Sequence, residues 1–352
     1  MNWIIKNIIA NNKFDWILYG LLIVILIVDF LTDIFGNPDK SLIGFNFLLI
    51  ALLIVGAKEI MNYSYKKIYY SNQTNLNSIR ELINNQQYTK VLKLTEKIRL
   101  VKPQLTEKLY WRGVANLYLK KSNRALRDFD SIESDYSNFA GFFYHKGLVL
   151  VDIDKSTEAI KYLTRSIELE KTWQNLDQRG VANMNIDKLK EAEKDLRESI
   201  ELKEDSSNTC NLGVLLDKEG KHEEAMEFYN RSIEICAKNP NAFYNRALAN
   251  YYLEKYQSSI SDYTKTIELE PERHSAYYNR AISKQRINEL ESAIDDFNFA
   301  EKFGSDNNYL YLNRGFCKCE LGNTSNGLID LIKANELDCK EAKELIKKYE
   351  KQ

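Results

Sequence analysis

Residues Asn241 to Pro271 read NAFYNRALANYYLEKYQSSISDYTKTIELEP, and the same pattern recurs along most of the chain at a spacing of 34 residues, occasionally 33. A period in the range of about 20 to 50 residues decides the fold class first, because each unit is then one supersecondary piece that buries its apolar face on its neighbours.

The register follows one position per unit: Ile79, Gly113, Gly147, Gly180, Gly213, Ala247, Ala281 and Gly315, small in all but the first. Twelve residues later stands a second position, Val91, Ala125, Ala159, Ala192, Ala225, Ser259, Ala293 and Gly327. In a helical pair, small residues so placed let two backbones approach closely. Four residues further on the side chain is large: Phe129, Leu163, Leu196, Tyr229, Tyr263, Phe297 or Leu331. Between the two small positions falls a short break, such as Glu219-Gly220 or Leu321-Gly322, where glycine fits a helix C-terminus. Each unit reads as helix A, tight turn, helix B. Proline, excluded from helix interiors, falls at unit boundaries at Pro103, Pro240 and Pro271.

Small residues at those two positions, an aromatic in helix B and proline near the unit end are the marks of the tetratricopeptide repeat, which this chain resembles from about Asn72 to Cys339. The resemblance implies an all-α, right-handed superhelical solenoid of about eight helical hairpins over 72–339, with a concave groove lined by the A helices. The units start near 72, 106, 140, 173, 206, 240, 274 and 308. The first departs from the family, with Ile79 and Val91 in place of small residues. Residues 340–352 carry Ala342, Leu345, Ile346 and Tyr349 on one helical face and read as a capping helix.

Lys and Arg together (49) nearly balance Asp and Glu (50), so no basic stripe points to nucleic acid as a partner. The five cysteines, Cys210, Cys236, Cys317, Cys319 and Cys339, are odd in number and scattered through helices, which reads as reduced thiols.

Upstream of the repeats the chain is apolar. Residues 1–13 form a flank, read either as an interfacial helix with Trp3, Ile4, Ile8 and Ile9 on one side or as an ordinary membrane-helix flank. Residues 14–61 read as a two-helix transmembrane hairpin, with spans over about 14–35 and 42–60 joined at Gly36 to Ser41, and 62–71 as a juxtamembrane connector. Lysines flanking the two apolar runs, Lys6 and Lys13 before the first and Lys58, Lys66 and Lys67 after the second (Leu42 to Ala57), predict an integral membrane protein with both termini and the repeats cytoplasmic. Asp29 and Asp33 share a helix face near the far end of the first span, where they either reach headgroup water or form a proton or ion site. The bilayer is thus an expected partner, and the hairpin offers contacts to another copy or another membrane protein.

Two columns of residues describe the repeat surface. Arg112, Arg179, Arg246, Arg280 and Arg314 precede the small position in five units, and those units carry Asp128, Asp195, Asp262, Asp296 and Asp330 in helix B. Units without the arginine have Lys146 with Tyr162, and Leu212 with Phe228. Presence and absence in step predict structural Arg–Asp bridges within the hairpin, and exposed bridges are worth about 0 to 1 kcal/mol each. The family resemblance places the second, fifth, sixth, ninth and twelfth residues of helix A on the groove. The fifth column is Tyr110, Tyr144, Asp177, Cys210, Tyr244, Tyr278 and Leu312; the sixth is Trp111, His145, Gln178, Asn211, Asn245, Asn279 and Asn313. The candidate partner-binding set is Tyr110, Tyr144, Asn211, Tyr244, Asn245, Tyr251, Tyr278, Asn279 and Asn313. Rings supply contact area and amides can bond a peptide backbone, or the same residues can steady the neighbouring helix. Members that clamp the carboxylate tail of a heat-shock chaperone need lysines on successive A helices; the fifth column has none, so a less acidic ligand is expected.

No catalytic constellation emerges: His145, His222 and His274 fall at unrelated repeat positions, and Cys317 and Cys319 diverge on a helix with no second pair to complete a metal site. Neither a cofactor motif nor a metal motif is present. The expected function is a membrane-anchored, non-enzymatic scaffold that recruits a protein or peptide through the groove. The alternative is a structural subunit of a membrane complex, assembled through the hairpin and braced by the repeats.

Overall fold

A computed structural model describes residues 73, 75–97, 104–305 and 307–351, which are α-helical apart from turns and one 3-10 turn at Glu133–Asp135. The chain divides into two compact units, Met1–Lys155 and Ser156–Gln352. The first contains α1 (75–84), α2 (Tyr88–Lys97), α3 (Gln104–Tyr118), α4 (Ser122–Asp130) and α5 (Ala140–Asp152). The second begins with α6 (Ser156–Leu169), α7 (Trp173–Asn185), α8 (Leu189–Leu202), α9 (Ser206–Lys218), α10 (His222–Ile235) and α11 (Pro240–Tyr252). It continues through α12 (Tyr256–Leu269), α13 (His274–Arg286), α14 (Leu290–Lys302), α15 (Asn308–Glu320), α16 (Thr324–Glu336) and α17 (Lys340–Tyr349). Odd-numbered helices up to α15 are A helices and even-numbered ones are B helices.

The small positions set the spacing between A and B. A Cβ added to Gly213 on α9 would lie 2.6 Å from the Tyr229 ring on α10. In the last hairpin the backbones themselves meet: a Cβ on Gly315 would come within 2.9 Å of the Gly327 carbonyl oxygen, and one on Gly327 within 2.8 Å of the Gly315 oxygen. In the first hairpin Ile79 and Val91 are fully buried beside Leu76 and Ala115, so aliphatic packing replaces the glycine contact there.

Every A-to-B turn closes in one way. Gln86, Lys120, Asp154, Asp187, Gly220, Glu254, Asn288 and Gly322 all have left-handed backbone, with φ from 55° to 80°. The following N–H then reaches back to the A helix, as Lys121 does to the Asn116 carbonyl at 2.8 Å and Lys255 to Asn250 at 2.8 Å. That is the Schellman closure, and six of the eight positions adopt it without glycine. Some A helices start on side-chain caps: Thr172 and Asn175 form a reciprocal capping box, as do Asp205 and Asn208, and Asn239 caps α11 ahead of Pro240. At the far end Ala342 and Tyr349 of α17 bury against Leu310, Leu331 and Ala334, covering the last hairpin.

The expected location as an integral membrane protein is corrected. Among the described residues no helix is long and apolar enough to cross a membrane. The 15 residues of α3 are the longest run, against the roughly 20 apolar residues a bilayer core requires. The expected spans at 14–35 and 42–60, with the flank 1–13, the connector 62–71, Asp29 and Asp33, lie outside the described residues.

Candidate functional site

The Arg–Asp column is built into the hairpins as bidentate pairs. Arg179 donates from Nε and Nη2 to Asp195 at 2.8 and 2.7 Å, Arg246 to Asp262 at 2.8 and 2.6 Å, and Arg280 to Asp296 at 2.8 and 2.6 Å. Arg112 does the same to Asp128 at 3.0 and 2.5 Å, and Arg314 to Asp330 at 2.9 and 2.8 Å. All five carboxylates are buried, which corrects the expectation of exposed bridges. Each carboxylate also accepts from a second side chain one helical turn on: Asn116, Asn183, Asn250, Lys284 or Lys318. Burial alone would raise the Asp330 carboxyl, but the hydrogen bonds from Arg314 and Lys318 outweigh it and hold its pKa below the ordinary value. Where the arginine is missing, Lys146 pairs with Asp130 and Glu133, both at 2.7 Å, while Leu212 joins an apolar cluster with Phe228.

The expected groove residues fall into three groups. Tyr110 and Tyr144 belong to the first unit. Tyr110 is only 3% exposed: Tyr136 and Phe139, from the segment between α4 and α5, pack on its ring with centroids at 5.8 and 5.2 Å. It is therefore a core residue rather than a ligand contact. Its hydroxyl lies 3.0 Å from His145 Nδ1, which is also 2.7 Å from the Gly141 carbonyl. A carbonyl can only accept, so Nδ1 carries the proton, and burial lowers the His145 pKa to about 4. Tyr144 is half-buried, edge-on to the His145 ring at 5.2 Å.

The second group is an amide ladder in the second unit, in which the sixth residue of one A helix bonds to the fifth residue of the preceding one. Asn211 Nδ2 donates to Asp177 Oδ1 at 2.8 Å, Asn245 Nδ2 to Cys210 Sγ at 3.5 Å, and Asn279 Nδ2 to the Tyr244 hydroxyl at 2.8 Å. These amides tie successive repeats together instead of presenting themselves whole to a peptide. Asp177, 2% exposed, has its pKa pushed up to about 6 by burial, against the pull of the bonds from Asn211 and Gln178. Burial likewise pushes the Cys210 thiol up to about 11, so it is no nucleophile at neutral pH.

The third group meets at a cavity. Tyr251, Tyr278, Asn279 and Asn313 line a space of about 630 Å³ on the A helices α11, α13 and α15. Tyr278 stands edge-on to Phe297, and Tyr251 accepts a hydrogen bond from Arg286 Nε at 3.1 Å. Tyr244 sits beside this space, edge-on to Tyr263 and covered by the Arg273 guanidinium at 4.1 Å. Leu248, Tyr252, Tyr263, Ile282, Gln285, Arg286 and Phe316 complete the lining and were not among the expected residues. Arg286 stands 35 residues after Tyr251, the spacing at which adjacent repeats touch, and that spacing was the available signal.

One histidine-centred trio occurs: Asp217 accepts from the Tyr229 hydroxyl at 2.6 Å and bonds His222 Nδ1 at 2.9 Å, and His222 stacks on Tyr252 at 5.0 Å. Tyr229 is fully buried while His222 and Asp217 are partly exposed, and the trio joins α9, α10 and α11. Among the described residues no group of His, Cys, Asp and Glu side chains is arranged to hold a metal ion.

Two family profiles match within the array, one described as tetratricopeptide repeat over residues 140–172 and one as TPR repeat over residues 213–253. The chain carries tetratricopeptide repeats. Solved structures share the fold of these tetratricopeptide repeats. The Cut9–Hcn1 hetero-tetramer of the APC/C aligns with TM-score 0.62 and 14% identity, over 74% of this chain and about half (52%) of that one. A tetratricopeptide repeat protein from Parabacteroides merdae aligns with TM-score 0.50 and 17% identity, over 70% of this chain and 99% of that one. PilF from Pseudomonas aeruginosa aligns with TM-score 0.52 and 14% identity, over 56% of this chain and 91% of that one. No curated protein sequence matches the chain. Tetratricopeptide repeat proteins in general mediate protein–protein interaction, and they bind protein or peptide partners.

Proposed function

We propose that the protein is a non-enzymatic interaction module that binds a protein or peptide partner through the A-helix groove of its second unit. One observation carries the reading: Tyr251, Tyr278, Asn279 and Asn313, on three successive A helices, converge on one open space whose lining mixes aromatic rings with amides. Rings of this kind give contact area at low entropic cost, and half-exposed amides can still offer their oxygens and second N–H groups to a backbone. The paired carboxylates, the buried thiols and the Tyr229 trio all have structural employment, which leaves the groove as the surface with unspent chemistry.

Co-purification tests this. A Tyr251→Ala, Tyr278→Ala variant of the full chain, with helical content verified by circular dichroism, is expected to lose a partner that wild type retains. An Ile329→Ser variant on α16, at a side chain 63% exposed on a B helix, is expected to keep it. The reverse pattern would place the interaction on the B helices and refute the groove.

A further inference from the structure

We propose that the space over Tyr263 is the anchor subsite of this groove and takes an aromatic side chain of a partner peptide that has an acidic residue beside it. The proposal rests on the groove reading and adds the ligand's chemistry.

The Tyr263 hydroxyl, on a residue 1% exposed, has no hydrogen-bond partner among the described residues. Native structures rarely leave such a group unpaired. The Tyr244 hydroxyl accepts from Asn279, and the Tyr251 hydroxyl from Arg286. Asn279 lies near Tyr263 without completing a hydrogen bond to it. A ligand carbonyl or hydroxyl entering the space between Tyr251 and Tyr278 supplies what the hydroxyl lacks.

The walls choose the rest of the ligand. Leu248, Ile282 and Phe316 stand with the tyrosines around the space, an arrangement that favours an aromatic ring through edge and face contacts. No Asp or Glu lines it, and Arg286 is its one cation among the described lining residues. Arg280 and Arg314 are locked to Asp296 and Asp330, whereas Arg286 forms no ion pair among the described residues and spends Nε on a neutral tyrosine. Its guanidinium suits one carboxylate next to the bound ring. The sequence-based expectation of a less acidic ligand is thereby narrowed to one acid set beside an aromatic.

Selection of displayed random short peptides on the full chain tests the proposal. Enriched peptides are expected to pair Phe, Tyr or Trp with an adjacent Asp or Glu. Titrated by fluorescence anisotropy, the best of them should bind Tyr263→Phe about fivefold more weakly, the effect of losing one net hydrogen bond. It should bind Arg286→Glu more weakly still, and reselection on Arg286→Glu should replace the acid by Lys or Arg. Thermal melting of Tyr263→Phe should match or exceed wild type, because the lost hydroxyl was unpaired, so weaker binding is not misfolding. Peptides without the aromatic–acid pair, or bound equally by both variants, overturn the proposal, yet leave the groove standing if Tyr251→Ala with Tyr278→Ala abolishes them. Peptides indifferent to that double variant, or no enrichment over protein-free support, contradict both.

Discussion

Asn279 on α13 donates its Nδ2 proton to the Tyr244 hydroxyl on α11 at 2.8 Å, joining the two repeats across their A helices. The same sixth-to-fifth pairing joins Asn211 to Asp177 and Asn245 to Cys210. Within the second unit, adjacent repeats are therefore held by polar bonds as well as by apolar packing. Asn279→Ala and Tyr244→Phe are each expected to lower stability by about 1 kcal/mol in urea unfolding. The double variant should lose clearly less than the sum, and strict additivity would show that the bond carries no coupling.

The Arg280–Asp296 pair should behave as a buried ion pair. Asp296→Ala leaves Arg280 and Lys284 facing a buried gap, at an expected cost of about 3 to 5 kcal/mol. Joint replacement by Met and Leu should recover most of that loss. Arg112 is more open, with 38% of its side chain exposed, so Asp128→Ala should fall at the lower end of the range.

Two buried groups give opposite pH dependences. Asp177 titrates at about 6 in the fold against an ordinary 3.8, so between those values the folded chain holds a proton that the unfolded chain has released. Its contribution is complete below about pH 4 and is lost as pH rises through about 6, on the order of 3 kcal/mol. Asp177→Asn should match wild type at the acid end of this window and exceed its urea midpoint at the alkaline end. His145, lowered to about 4 from 6.5, works in the other sense: the unfolded chain takes up a proton that the fold refuses. Its contribution is complete above about pH 6.5 and is lost as pH falls toward 4, and His145→Gln should flatten that acid limb.

The left-handed turn at Glu254, with φ 57°, holds a side chain where glycine is at ease. Glu254→Gly is expected to raise stability by about 0.5 to 1 kcal/mol, because relief of the backbone outweighs the added freedom of the unfolded chain. A lower melting temperature would mean that the Glu254 side chain has a stabilising role of its own.

The spacing between Gly213 and Tyr229 made the hairpin contact legible in the sequence, and the joint presence of Arg280 and Asp296 made their pairing legible too. What escaped was set by tertiary geometry. The turns at Lys120 and Glu254 carry no glycine signal, because hairpin closure imposes left-handed backbone on whatever residue is present. Tyr110 and Tyr278 occupy one column, yet Tyr136 and Phe139 cover only Tyr110, through a segment outside the repeating pattern. The amides of Asn211, Asn245 and Asn279 were visible as a ladder, but which partner each would reach depended on the 34- or 35-residue offset realised between helices. Tyr263 shares its column with Phe129 and Phe297; only the surroundings of its hydroxyl distinguish it from a plain packing residue.

The most direct measurement places a photo-crosslinking amino acid at Gln285, in the groove of the full chain, and separately at Ile329 on α16, and irradiates cells expressing each. The groove account predicts one discrete protein adduct from Gln285 that disappears with Tyr251→Ala and Tyr278→Ala, and none from Ile329. An adduct from Ile329 with none from Gln285 would contradict it.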